Sequence, residues 1–251
     1  MEMEIKEANN MFNAEEFENR IKIYSVINGY EDDFIKFWKW KLETETENVH
    51  ILDYVHRDET HRKLCEMAGK WQTYRPIGGW RETLRDSLER IADAYNQIRK
   101  HSLLEFHDIP QEPLKLIWHE LGRVKEKNGD RSSDGIYYAV AITKPLMFLW
   151  GQTLAFDSNV REFVPFCGIQ KTMLKATKWN FETWRKAVEG SSDFLKQNSA
   201  IIDLSKKISI EKYGTDSIVP YGRFLDIYYW IGGSPYERIY EAKMKNIYGS
   251  T

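Results

Sequence analysis

Cysteine is almost absent from this chain. Cys65 and Cys167 are the only two among 251 residues, so no disulfide framework is encoded and a reducing, cytoplasmic setting is expected. Long apolar runs are also missing. The longest, 137–150, is interrupted by Thr143-Lys144-Pro145 and falls short of the ~20 residues that span a bilayer, so no membrane partner is expected. The acidic, polar N-terminus lacks the basic, apolar and small-residue succession of a secretory leader. Neither sign of charge dominates. The 36 basic residues face 38 acidic ones for a net charge of −2, which excludes a global basic field directed at nucleic acid and leaves only a local one. G-x-S-x-G, G-x-x-x-x-G-K-[ST] and G-x-G-x-x-G are all missing, and with them the usual footprints of α/β-hydrolase, phosphoryl-transfer and dinucleotide chemistry. The chain has no low-complexity tract and no repeat at solenoid periods. No cofactor is implied.

Aromatic residues, by contrast, are plentiful. They make up 14% of the chain, with nine Trp, in a composition that is 42% hydrophobic and 29% charged. That balance belongs to a globular protein with a substantial core. Trp serves cores and also planar-ligand or base-stacking sites. Apolar residues recur at helical spacing through most of the sequence, which predicts helices over 12–30, 32–45, 60–71, 81–101, 110–124, 158–163, 170–188, 192–208, 221–231 and 235–248, with a turn at 189–191. Strand signals are few and scattered, and residues 51–55 are a candidate strand with little to pair with. Residues 136–142 and 145–150 read as an apolar helix, a break and a second helix opened by Pro145. The expected fold is mainly α, a multi-helix orthogonal array with little or no sheet. It forms one unit over 1–251, in which the polar, glycine-containing stretch near 127–135 either divides two helical lobes or is a long surface loop.

The most informative block is Thr143-Lys144-Pro145-Leu146 followed by Phe156-Asp157-Ser158-Asn159-Val160-Arg161. Thr143 is placed to cap the helix that Pro145 opens, and Lys144 adds positive charge beside the free backbone donors, an arrangement suited to a phosphate. Asp157 opens the next helix, where a carboxylate gains from the dipole. It either caps that helix and pairs with Arg161 one turn on, or acts as a catalytic carboxylate that orients a water or stabilises charge on a sugar ring. The block 143–161 resembles the core of the helix-hairpin-helix DNA glycosylase superfamily. That resemblance implies a DNA-binding, glycosylase-like hydrolase of DNA repair. Its partner would be duplex DNA, its target a damaged or modified base extruded from the stack, its catalytic carboxylate Asp157 and the packing residue behind it Val160. The superfamily's glycine-rich hairpin is missing, and Ser132-Ser133-Asp134-Gly135 is a poor substitute. The interval from Lys144 to Asp157 is shorter than usual there, and no four-cysteine cluster follows, which excludes an iron–sulfur version.

Trp150, Trp80, Tyr228, Tyr229 and Trp230 are the aromatic candidates for a base pocket, with core packing as their other use. Lys171, Lys175, Lys178, Arg185 and Lys186, interleaved with Trp179, Phe181 and Trp184, form either a basic face tracking a DNA backbone or the solvated side of an amphipathic helix. Arg223 is a further phosphate contact, with Asp226 as its neighbour on one helix. His56, His61 and Cys65 form H-x4-H-x3-C without a matching fourth ligand, so no metal is expected. Two other functions fit the same residues. One is a non-catalytic helical interaction module; the other is a helical enzyme acting on a small phosphorylated ligand at Thr143 and Lys144.

Overall fold

The structure is a computed structural model that describes residues 13–27, 30–74, 78–126, 129–163, 176–213, 219–236 and 238. It is mainly helical. α1 (Ala14–Ile27) opens on Asn13, whose side-chain oxygen accepts the Glu15 N–H at 2.9 Å. α2 (Tyr30–Thr44) begins with Glu31, Asp32 and Asp33 at the end of the helix that favours negative charge. α3 (Tyr54–Lys70), α4 (Trp80–Arg90), α5 (Ala92–Ile98) and α6 (Gln111–Gly122) follow. β1 (Tyr137–Tyr138) leads directly into α7 (Ala139–Trp150), and then come α8 (Ser158–Phe163), β2 (Lys178–Trp179), α9 (Phe181–Gln197), α10 (Ser199–Tyr213) and α11 (Tyr221–Gly232). β1 and β2 pair antiparallel, Tyr137 opposite Trp179, and make the only sheet among the described residues.

Several elements differ from the periodicity. Residues 51–55 form a turn into α3 rather than a strand, closed by the Asp53 N–H donating to the His50 carbonyl at 3.0 Å. The helix expected over 81–101 is broken at Ile91. The helix expected from 170 starts, as described, only at Phe181, where the Asn180 side chain caps it by accepting the Thr183 N–H at 2.9 Å. No turn interrupts 189–191. Ser191 sits inside α9 with its hydroxyl donating to the Ala187 carbonyl at 2.9 Å, and the helix ends at Asn198 instead.

The largest difference concerns Pro145, which lies inside α7 rather than at a helix start. A proline there lacks the N–H that would serve the carbonyl four residues back. That carbonyl belongs to Ala141, and the buried Tyr74 hydroxyl donates to it at 3.1 Å instead. The orphan acceptor is thereby satisfied and the helix continues. Residues 129–135 are tied to the segment before them, with Arg123 Nε donating to the Gly129 carbonyl at 2.6 Å and Trp118 Nε1 to the Gly135 carbonyl at 3.2 Å. One apolar cluster runs through residues on both sides of that segment.

Candidate functional site

α11 passes through the interior with almost every side chain buried, including the charged Arg223 and Asp226. Its backbone comes unusually close to the segment that carries Asp157. A Cβ on Gly222 would lie 2.5 Å from the Gly151 carbonyl oxygen, and one on Gly233 only 1.9 Å from that of Asn159. Both positions therefore need glycine for close approach. Gly151 ends α7 in the left-handed conformation, and the chain then runs to Phe156, a non-glycine residue also held left-handed at φ 45°. Such a conformation costs energy and persists only where the surroundings impose it. Asp157 is the next residue.

A buried ion network holds this arrangement. Arg223 Nη1 donates to Asp226 Oδ2 at 2.8 Å, and Nη2 donates to Glu31 Oε2 at 2.5 Å and to the Tyr24 hydroxyl at 3.0 Å. The guanidinium lies 5.0 to 5.3 Å from the ring centres of Phe34, Tyr24 and Trp71. Asp226 uses its other oxygen to accept the Ala155 N–H at 2.8 Å, so the charged network directly pins the backbone two residues before Asp157. Burial raises the Asp226 pKa to about 6 against the opposing pull of Arg223, with the Asp157 charge adding to the rise. Burial likewise pushes the Tyr24 hydroxyl well above its ordinary value.

Asp157 itself is half-buried. Its Oδ1 accepts the backbone N–H groups of Asn159 at 3.1 Å and Val160 at 3.2 Å, capping α8, and its Oδ2 accepts Trp230 Nε1–H at 3.1 Å. A carboxylate has about four lone-pair directions, and these three bonds leave one open. Arg161 bonds the backbone of Asp157 rather than its carboxylate. Its backbone N–H and its Nε donate instead to the Asp157 carbonyl, and Nη1 donates to the Ala176 carbonyl. The Trp230 ring stacks on Tyr236 at 5.3 Å with planes 14° apart and meets Tyr24 edge-on at 5.5 Å. Tyr236, stacked on the indole that bonds the carboxylate, remains exposed.

Lys144 lies in the same electrostatic neighbourhood. Its ammonium donates to the Trp71 carbonyl at 3.2 Å and stands 5.6 Å from the centre of that residue's ring. Burial lowers its pKa below the ordinary lysine value, opposed by the charges of Asp157 and Asp226 and helped by that of Arg223. The residue after Trp71, Gln72, is the other non-glycine residue with positive φ among the described residues, at 53°. Both such residues therefore flank this cluster.

The other sequence candidates divide clearly. Thr143 is no helix cap. It sits in mid-helix, fully buried, with its hydroxyl bonded to the carbonyls of Ala139 and Ala155, so Thr143 and Lys144 present no free helix start to a phosphate. Arg223 is fully buried and paired through both terminal nitrogens with two buried acids, so it is not placed to meet a backbone phosphate. Trp150 is a core residue whose indole donates to the His101 carbonyl at 3.1 Å, and Tyr228 is buried against Phe17 and Arg20. Tyr229 is buried as well. Trp80 is half-buried against Tyr74, with Arg81 over its ring. Lys178 is exposed on β2, paired with Glu126 at 3.5 Å. Lys171 and Lys175 lie outside the described residues. Arg185 is engaged by Glu182 and Glu189, while Phe181 and Trp184 face the core, so α9 is an amphipathic helix with a solvated side. Cys65 Sγ contacts His61 Nε2 at 3.2 Å. Burial pushes the Cys65 thiol up to about 11, and no group of three His, Cys, Asp or Glu among the described residues is arranged to hold a metal.

The sequence therefore brought Asp157, Lys144, Trp230 and the Arg223–Asp226 neighbours to notice. It missed Glu31, Tyr24, Trp71 and Tyr236. An acid at a helix start is ordinary, and nothing local marks Glu31 as the partner of an arginine 192 residues away. No protein-family model, no curated protein and no solved structure matches this chain.

Proposed function

We propose that this protein hydrolyses an N-glycosidic bond, with Asp157 as its catalytic carboxylate and a base within nucleic acid as the leaving group. The observation that carries the proposal is the state of Asp157. Its carboxylate is fixed at three points by α8 and Trp230, yet is half-exposed with one lone-pair direction free. A carboxylate held this way loses little freedom when it meets developing positive charge.

In the reaction the C1′–N bond breaks and its electron pair leaves with the base. Water adds at C1′, and its proton passes to Asp157 and on to the departing base, giving free base and an abasic sugar. The exposed Tyr236 ring, backed by Trp230, offers a stacking surface for an extruded base. The Phe156 backbone, strained at the residue before the carboxylate, is the kind of irregularity that collects at functional sites.

The test uses the full chain and duplex oligonucleotides that each carry one uracil, hypoxanthine or alkylated base. Release of free base and an alkali-labile site is expected for at least one of them. Asp157→Asn keeps the helix cap and should reduce release by at least about a hundredfold while leaving DNA binding intact. Absence of release from every substrate, or release that Asp157→Asn leaves unchanged, rejects the proposal.

A further inference from the structure

The structure assigns a phosphate-binding site to Arg90 and Arg131, two exposed arginines that meet at the buried carboxylate of Glu120. Glu120 lies on α6 and is wholly buried. Its Oε1 accepts Arg131 Nη2, its Oε2 accepts Arg123 Nη1 at 3.2 Å, and Arg90 Nη1 stands 3.8 Å from the same Oε2. Three guanidiniums therefore share one carboxylate. The Arg223 network has the reverse ratio, two carboxylates on one guanidinium. Arg123 is the structural member of the three, 15% exposed and with its Nε engaged by the Gly129 carbonyl. The side chains of Arg90 and Arg131 are 52% and 55% exposed. Arg131 Nε and Nη1 donate to no described residue, and 3.8 Å is too long for a hydrogen bond from Arg90. Glu89, next to Arg90, is engaged by Arg57 at 2.9 Å, and Asp86 and Asp130 pair with neither arginine.

The scaffold beneath the pair is fixed. The Ser87 hydroxyl donates to the Glu120 carbonyl at 2.7 Å and ties α4 to α6. The loop that carries Arg131 packs on α4 at one end, where a Cβ on Gly129 would meet the Thr83 methyl at 2.9 Å. Its other end is held by Trp118 Nε1 on the Gly135 carbonyl. These contacts bring the two arginines to one point without using their open donors. Against the burial that would raise it, Arg131 and Arg123 hold the Glu120 carboxyl below its ordinary pKa, so the acid stays charged. Even so, three guanidiniums against one carboxylate leave a surplus of two positive charges. Like charges held together raise one another's energy. A phosphate bridging the free edges of Arg90 and Arg131 removes that surplus, and each planar guanidinium can meet two of its oxygens at once. The bonds that hold Asp157 involve none of these residues, so the inference stands apart from the glycosidic proposal.

The test titrates the full chain with inorganic phosphate at constant ionic strength and follows the guanidinium Nε–H resonances. Saturable shifts are expected at Arg90 and Arg131, and none at Arg185, which Glu182 and Glu189 already engage. Arg131→Gln should weaken phosphate binding about tenfold. Should that variant lose structure along with its bond to Glu120, Arg90→Gln breaks no hydrogen bond and should weaken binding several-fold at an unchanged thermal midpoint. A blunt DNA duplex without terminal phosphates then identifies the source of the ligand. Displacement of bound phosphate by the duplex supports the site as a contact for a nucleic-acid backbone, and binding that the duplex leaves untouched supports it as a site for a small phosphate dianion. Absence of a saturable shift at the two arginines, or a phosphate affinity that neither variant changes, overturns the inference.

Discussion

The Arg223 guanidinium answers two carboxylates in an interior that excludes water, Glu31 at 2.5 Å and Asp226 at 2.8 Å. Taking the cation away would strand both acids, which costs far more than the pair itself contributes. Arg223→Met is therefore expected to destabilise the protein by about 3–5 kcal/mol, read from the urea midpoint. Asp226 gives a pH signature. Its folded-state pKa of about 6 lies above the ordinary aspartate value of 3.8, so between those values the folded protein keeps a proton that the unfolded chain releases. The unfolded state binds fewer protons in that window, and the stability contributed by protonated Asp226 declines as pH rises through it. Thermal midpoints measured across the window for wild type and Asp226→Asn should converge or cross as pH falls, the wild type gaining on the variant. A constant difference would show that Asp226 does not titrate there. At this scale the sequence was informative where chemistry is local. Asp157 before Ser158 reads as a cap because its carboxylate reaches N–H groups two and three residues on, and Arg223 and Asp226 share a helix face at spacing three. Glu31 and Trp71 carried no such mark, because what makes them special is a contact across the fold.

Among the elements, α7, α8 and α11 decide where the carboxylate stands. Gly233 lets the end of α11 lie against the Asn159 carbonyl, which a Cβ would meet at 1.9 Å. That atom is backbone and cannot rotate aside. Gly233→Ala should force α8 and α11 apart and cost about 1–3 kcal/mol. It should also move the indole N–H resonance of Trp230 away from its carboxylate-bonded position, because the 3.1 Å bond to Asp157 bridges the two helices. An unperturbed resonance would show that the helices hold their spacing by other means. The same elements show why periodicity alone misplaced boundaries. Pro145 is an ordinary helix-opening signal, and only the Tyr74 hydroxyl, 67 residues from its Ala141 acceptor, lets the helix run through it. Glu189-Gly190-Ser191 looks like a turn, yet Ser191 bonds back to Ala187 and α9 stays whole. Long-range partners overrode local preference in the first case, and a local side-chain bond substituted for it in the second.

Across the whole molecule, much of the aromatic abundance belongs to the interior. Trp118, Trp150, Trp179 and Trp184 are all buried, and the mainly α architecture expected from periodicity is the one observed. No helix of the described residues is long and apolar enough to cross a membrane. The site, in contrast, draws on distant parts of the sequence, with Tyr24 and Glu31 from one end, Trp71 and Lys144 between, and Arg223, Trp230 and Tyr236 from the other. Only coordinates bring those together. The separation of Glu31 from Arg223 by 192 residues has a kinetic meaning during translation. At ribosomal speeds the acid is made roughly 10–40 s before its cation exists. For all that time α2 must wait with a hydrated glutamate at its start, and the nascent polypeptide cannot seal its interior until the last helices have left the exit tunnel.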